Sequence, residues 1–218
     1  MTAIKTIDGI KFLETPASSD GSWIHTEGSD YIFYFKFNSW TDTQNKIMAN
    51  AFLSALSLPN KIKQAVKDTS GQSVLDGLYT QDEAAMTKAM NNVNGMAQTS
   101  SNLANLSGNG TIRDANESFF QSVLSGVGGS VNPMMDYLNN AMAGTQAAAG
   151  NDNKAKHFGT TITLLALTPG LDIPVTTVIY AYTEAESASV LIKHKCKSDE
   201  QKFSYNVNYT KVGYLYQP

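Results

Sequence analysis

Residues 201–216 alternate. Phe203, Tyr205, Val207 and Tyr209 fall on one parity, and Lys202, Ser204, Asn206, Asn208 and Thr210 fall on the other. A period of two puts the apolar set on one face of a strand and the polar set on the opposite face. Aromatic and β-branched residues dominate the apolar set, as a half-buried pleated surface prefers. It is the longest alternation in the sequence, so it is read as a strand of the main sheet. The rest of the chain must then supply cover for its apolar face.

Composition sets the outer limits. The 218 residues carry no Pro- or charge-rich linker, so one domain spanning residues 1–218 is expected, with 1–28 as a mobile or removable N-terminal arm. Charged residues make up only 16%, against about 25% in ordinary soluble domains. Such a surface suits self-association or membrane contact. A net charge of −3 argues against nucleic acid as a partner, because neutralising phosphates needs a basic face. A single cysteine excludes an internal disulfide. The opening residues lack the apolar run of a signal peptide, and no long uninterrupted apolar stretch reads as a membrane helix. The expectation is a chain made soluble.

Residues 3–14 read as a weak edge strand or hairpin around Asp8-Gly9, and 16–28 as a polar loop. Residues 31–37 are apolar on both parities up to Lys36, which predicts a strand covered on two faces. A helix follows, capped by Thr41 or Ser39, with Ile47, Met48, Ala51, Phe52, Ala55 and Leu56 along one side. Pro59 opens a shorter helix over 62–66. Thr80 to Glu83 has the spacing of a capping box, and Ala85, Met86, Ala89, Met90, Val93 and Ala97 form the stripe behind it. Residues 98–110, rich in Ser, Asn and Gly, read as a loop or a fraying helix end. Phe119, Phe120, Val123, Leu124 and Val127 mark another helix, and Asn132-Pro133 starts the next. Strands are predicted over 161–168, 175–183 and 189–197, before the terminal one. The resulting fold class is mixed α/β (α+β): a central, mostly antiparallel sheet flanked by helix hairpins in a three-layer α-β-α sandwich.

Catalysis finds little footing. His194 and Cys196 share one face of a predicted strand, but two residues along a strand is roughly 6.6 Å, too far for a thiolate–imidazole pair. Gly126 to Ser130 has neither the preceding strand nor the following Lys-Ser/Thr of a phosphate loop. His25, His157 and His194 have no metal-ligand spacing. The expectation is no enzyme, no metal and no cofactor. Two surface features remain. Lys193, Lys195 and Lys197 lie on one strand face; they are either a solvated face or an attraction for anionic headgroups, about 1 kcal/mol per lysine. Residues 161–182 carry one formal charge, Asp172, and each arm approaches the ~9–11 residues with which a tilted strand crosses a bilayer. Thr176 and Thr177 occupy both parities, so the alternation is imperfect for a lipid-exposed barrel. The residues assigned to membrane contact are Ile162, Leu164, Leu165, Leu167, Val175, Val178, Ile179 and Tyr180, together with the three lysines.

Ile47-Met-Ala-Asn-Ala-Phe52, followed by Ala55-Leu56, resembles the first sheet-covering helix of the Cyt family of cytolytic δ-endotoxins. Ser204-Tyr-Asn-Val-Asn208 resembles that family's terminal strand, and the stretch beginning at Val123, the paired helices and the late strands occur in its order. The mushroom cytolysin volvatoxin is similar in the same way. The resemblance implies a soluble α-β-α toxin whose helices swing aside while later strands meet the membrane, as homo-oligomeric pores or as detergent-like disruption. Ile47, Met48, Ala51, Phe52 and Leu56 would then form a latch. It also implies release by a non-classical route and action at a target cell membrane, with lipids as partners and no nucleic acid. Residues 154–158 hold no tryptophan, a departure from the family, and no cleavable tail is expected after the last strand, which leaves proteolytic activation open. A lipid-binding virulence effector without pores, and a small hydrolase, stand as alternatives.

Overall fold

The structure is a computed structural model describing residues 3–7, 10–17, 20–27, 30–36, 39–74, 79, 81–111, 114, 118, 121–122, 157–168, 170–184 and 202–218. Four strands come first: β1 (Ala3–Ile7), β2 (Ile10–Ala17), β3 (Asp20–Glu27) and β4 (Asp30–Lys36). Three helices follow, α1 (Asp42–Ala55), α2 (Leu58–Ser70) and α3 (Glu83–Asn91). Then come β5 (Met96–Gly110), β6 (His157–Leu167), β7 (Pro174–Glu184) and β8 (Phe203–Tyr216). The eight strands among the described residues join one sheet in the order β1-β2-β3-β4-β6-β7-β8-β5. The pairings are antiparallel except β4 with β6, which run parallel.

Several expectations change here. The hairpin near the N-terminus forms, but residues 20–27, read as loop, make a full strand pairing with β4. The strand at 31–37 joins the late strands through a parallel pairing, because the chain returns to its edge only after the three helices. Residues 98–110 are strand, laid along β8. The turn that produces β5 is Asn94-Gly95, where Gly95 takes φ 81° and its carbonyl accepts from the Gln217 amide at 2.9 Å. A Cβ there would collide with the Gln217 carbonyl, so the stripe ending in Ala97 cannot continue as helix. Thr41 caps α1 in a full capping box with Gln44. On α3 the cap is Asp82, accepting from the Ala85 amide, rather than Thr80. The strand expected over 189–197 and the helix expected from Asn132 lie outside the described residues; of the helix marked by residues 119–127, residues 121–122 are described and are helical.

Paired residues share a face, so the register sorts the core. One face carries Ile32, Leu165, Val178, Tyr180, Tyr182, Val212, Tyr214 and Tyr216, and α1, α2 and α3 all pack against it. Tyr31, Phe33, Ile162, Leu164, Ile179, Ala181, Tyr205, Val207 and Tyr209 point the other way and are buried as well. Along β8 the buried parity changes. Tyr205, Val207 and Tyr209 are buried with Ser204, Asn206 and Asn208 exposed, whereas Val212, Tyr214 and Tyr216 are buried beneath the helices. The switch falls at Tyr209-Thr210, where both neighbours are buried.

Candidate functional site

β6 and β7 are equal arms of 11 residues, in register from His157↔Glu184 to Leu167↔Pro174. Between those ends neither arm holds an acidic or basic residue. Thr168 to Leu171 forms the turn, closed by the Leu171 amide to the Thr168 carbonyl at 3.3 Å, with Gly170 at φ 76° as the Pro-Gly pair suggested. Ile162, Leu164, Leu165, Val178, Ile179 and Tyr180 are buried, and Leu167 and Val175 are half-buried. These eight residues divide between the two faces: Leu165, Leu167, Val178 and Tyr180 face the helices, while Ile162, Leu164, Val175 and Ile179 face away. Lys193, Lys195 and Lys197 lie outside the described residues, as do His194, Cys196 and residues 126–130.

α1 covers the β4–β6 junction. Met48, Phe52 and Ala55 are buried with Ile32 and Leu165, and Ala51, Leu56, Trp40 and Leu167 pack partly buried around them. Ile47 is half-buried and stands outside this cluster. The start of α1 is tied to the hairpin turn. Gln44 closes the capping box by accepting from the Thr41 amide at 2.9 Å, and its Nε2 donates to Asp172 Oδ1 at 2.6 Å. One side chain thus secures a helix terminus and the single charged residue of the hairpin turn.

Beneath α2 and α3 the sheet is lined with tyrosines, whose hydroxyls find partners in the helical layer. Tyr180 donates to the Gln81 carbonyl at 2.8 Å, Lys61 Nζ donates to the Tyr216 hydroxyl at 2.8 Å, and Tyr214 reaches Thr87 Oγ1 at 3.4 Å. The Tyr180 ring lies against Gly159, where a Cβ would meet its hydroxyl and ring carbons well inside contact distance. Tyr79, bridged to Gly159 by backbone, stacks edge-on against Tyr180 at 6.0 Å between centroids. Burial pushes the Tyr180, Tyr79 and Tyr214 hydroxyls above the ordinary tyrosine range, and Asp30 adds to the effect at Tyr79. All three therefore remain neutral donors at physiological pH.

Asp30 sits at the centre of this seam, 1% exposed. Its Oδ1 accepts from the Tyr79 hydroxyl at 2.8 Å and from the Thr161 hydroxyl, and its Oδ2 pairs with Lys63 Nζ of α2 at 3.1 Å. Burial raises its pKa, with the Thr161 bond and the Lys63 charge pulling in the opposite direction. One carboxylate thus joins β4, β6, the Tyr79 segment and α2. Sequence reading missed it, because Asp at the entry to a strand reads as a turn residue. On the opposite face, Ser118 Oγ lies 3.3 Å from the Tyr205 hydroxyl, and Ser122, one helical turn on, contacts the Tyr209 hydroxyl.

Among the described residues no three His, Cys, Asp or Glu side chains converge as metal ligands, and no helix is long and apolar enough to cross a membrane. No family model and no curated protein matches the sequence. Solved structures do. The Evf virulence factor superposes with a TM-score of 0.52 at 12% identity, covering 83% of this chain and 69% of that one. A δ-endotoxin gives 0.39 at 13% identity, over 88% and 84% of the two chains. The activated Cyt2Ba monomer from Bacillus thuringiensis subsp. israelensis gives 0.39 at 10%, over 88% of this chain and all of that one. The likeness to Evf is one of fold, at low sequence identity.

Proposed function

We propose that this chain is a Cyt-like toxin or virulence protein that permeabilises membranes, soluble until it binds lipid. Its helical layer then leaves the sheet and β6–β7 meet the bilayer, as homo-oligomeric pores or by disrupting the lipid. The observation that carries the reading is the hairpin itself. Two arms, free of charged residues short of their His157–Glu184 end and each as long as a tilted strand needs to cross a bilayer, lie buried under helices held by discrete contacts. Release would exchange those contacts for lipid and present Tyr180, Tyr182, Tyr214 and Tyr216, residues suited to the headgroup region. The reading includes a three-layer sandwich, with α1–α3 on one side and a second helical layer over Ile162, Leu164 and Val207; burial on both sheet faces supports it.

The proposal includes no enzyme activity and no cofactor. It places the site of action at a target cell membrane after non-classical release, with lipids as the partner and no nucleic acid. The likeness to Evf, a virulence factor by name, favours a second reading in which the chain binds lipid without forming pores. Release of dye from loaded vesicles decides between them. A permeabilising toxin empties the vesicles, a lipid-binding effector co-sediments with them and leaves the dye inside, and absence of both binding and leakage contradicts the two readings together.

A further inference from the structure

β5 closes one end of the sheet among the described residues, pairing with β8 on one side only. Such a strand presents a row of unpaired backbone donors and acceptors, and soluble proteins usually blunt it with Lys, Pro or brevity. This one is 15 residues long and holds no charged residue and no proline. Its one irregularity is the register shift between Gln98 and Ser100. Every residue from 97 to 103 is exposed on both parities, with Ser101 Oγ donating to Glu83 Oε1 of α3 at 2.6 Å. At the strand's midpoint is Leu103, 80% exposed, the most exposed large apolar side chain described.

We propose that β5 is the surface on which a second copy of this chain docks, as a two-fold antiparallel strand pair centred on Leu103. A strand that meets its own copy meets its own charges, so an uncharged edge is self-compatible where a lysine-bearing one is self-repelling. Centring on Leu103 sets that side chain against its counterpart and withdraws both from water. The same register places Ser101 opposite Asn105 and Asn102 opposite Ala104, so polar groups meet polar or small ones. Asn105 already bridges Asn206 and Asn208 on β8 at 2.5 and 2.6 Å, and the polar ladder would continue across the new pair. The far end of the sheet is a poorer template: β1 is five residues long and carries Lys5. Pairing through β5 would join two sheets into one continuous sheet, with β6–β7 of each copy two strands from the junction. The inference deepens the membrane reading by naming the surface through which copies meet, and rests on it only for where they become concentrated.

Crosslinking tests the register. In a Cys196→Ser background, Leu103→Cys and Ser107→Cys are each oxidised on anionic phospholipid vesicles. Directly opposed Cβ atoms in an antiparallel pair lie about 4.5–5.5 Å apart, near disulfide range. A residue four positions from the centre lies about 26 Å from its own copy. Disulfide-linked dimer should be at least ten-fold more abundant from Leu103→Cys. Leu103→Lys, an exposed change whose folding circular dichroism checks, should reduce dye release at least ten-fold without lowering vesicle binding. If wild type binds or leaks vesicles but the two cysteines give equal dimer, or neither gives any, the strand pairing is overturned and the membrane reading stands. Dimer at position 103 with no binding or leakage by wild type overturns the membrane reading and keeps the pairing. Failure of both overturns both.

Discussion

Replacing Asp30 separates its two roles, acceptor and charge. Asp30→Ala leaves the Tyr79 and Thr161 hydroxyls without their acceptor in a site closed to water. At about 1–3 kcal/mol for each buried polar group left unpaired, the loss should be about 2–6 kcal/mol. Asp30→Asn keeps an oxygen for both hydroxyls and gives up only the charge and the Lys63 pair, so about 1 kcal/mol is expected. The pH dependence has a definite sign. Burial raises the Asp30 pKa above the ordinary 3.8, so the folded protein holds that proton to a higher pH than the unfolded chain does. Its stabilising contribution is therefore complete below the unfolded value and is lost as pH rises through the folded one. Urea midpoints measured across the acid range for wild type and Asp30→Asn should diverge, wild type gaining on the variant as pH falls through that window. Parallel curves, or an Asn variant as damaged as the Ala variant, would refute the account of this site.

Phe52→Ala opens a cavity in the cluster of α1 with Ile32 and Leu165, and should cost about 3–5 kcal/mol by chemical denaturation. Gly95→Ala meets both a left-handed φ and the Gln217 carbonyl, so it should cost more than the roughly 1 kcal/mol of an ordinary glycine change, read as a lowered Tm. Gln44→Ala breaks the capping box and the bond to Asp172 together; about 1 kcal/mol is expected, with faster amide exchange at both the α1 start and the β6–β7 turn.

Periodicity made the strongly apolar elements legible. The terminal strand, the β6–β7 hairpin with its Pro-Gly turn, and the stripe and Thr41 cap of α1 all carry their burial pattern in consecutive residues. β5 was illegible for the opposite reason. Its side chains are mostly Ser, Asn and Gly on an exposed edge, and the pairing with β8 that makes it a strand comes from about 100 residues away. Only Ala104 and Leu106, half-buried on alternate positions, hinted at a strand, and Asn94-Gly95 was the turn signal that should have ended the helix. The seam at Asp30 could not be assembled from the sequence at all. Lys63, Tyr79 and Thr161 reach it from three separate segments, and none of them departs from what its own element ordinarily carries.

The central claim is that the helices must leave the sheet before lipid is engaged. A disulfide from α1, at Ala51 or Ala55, to β6, at Leu165 or Leu167, would hold them together in a Cys196→Ser background. Each apolar side chain that opening uncovers is worth about 1.5–3 kcal/mol when fully buried, so water alone does not open the seam, whereas lipid can replace what the helices cover. The oxidised protein should leave dye-loaded vesicles intact, and the same sample after reduction should empty them. Equal leakage from the oxidised and reduced forms would contradict helix release as a required step.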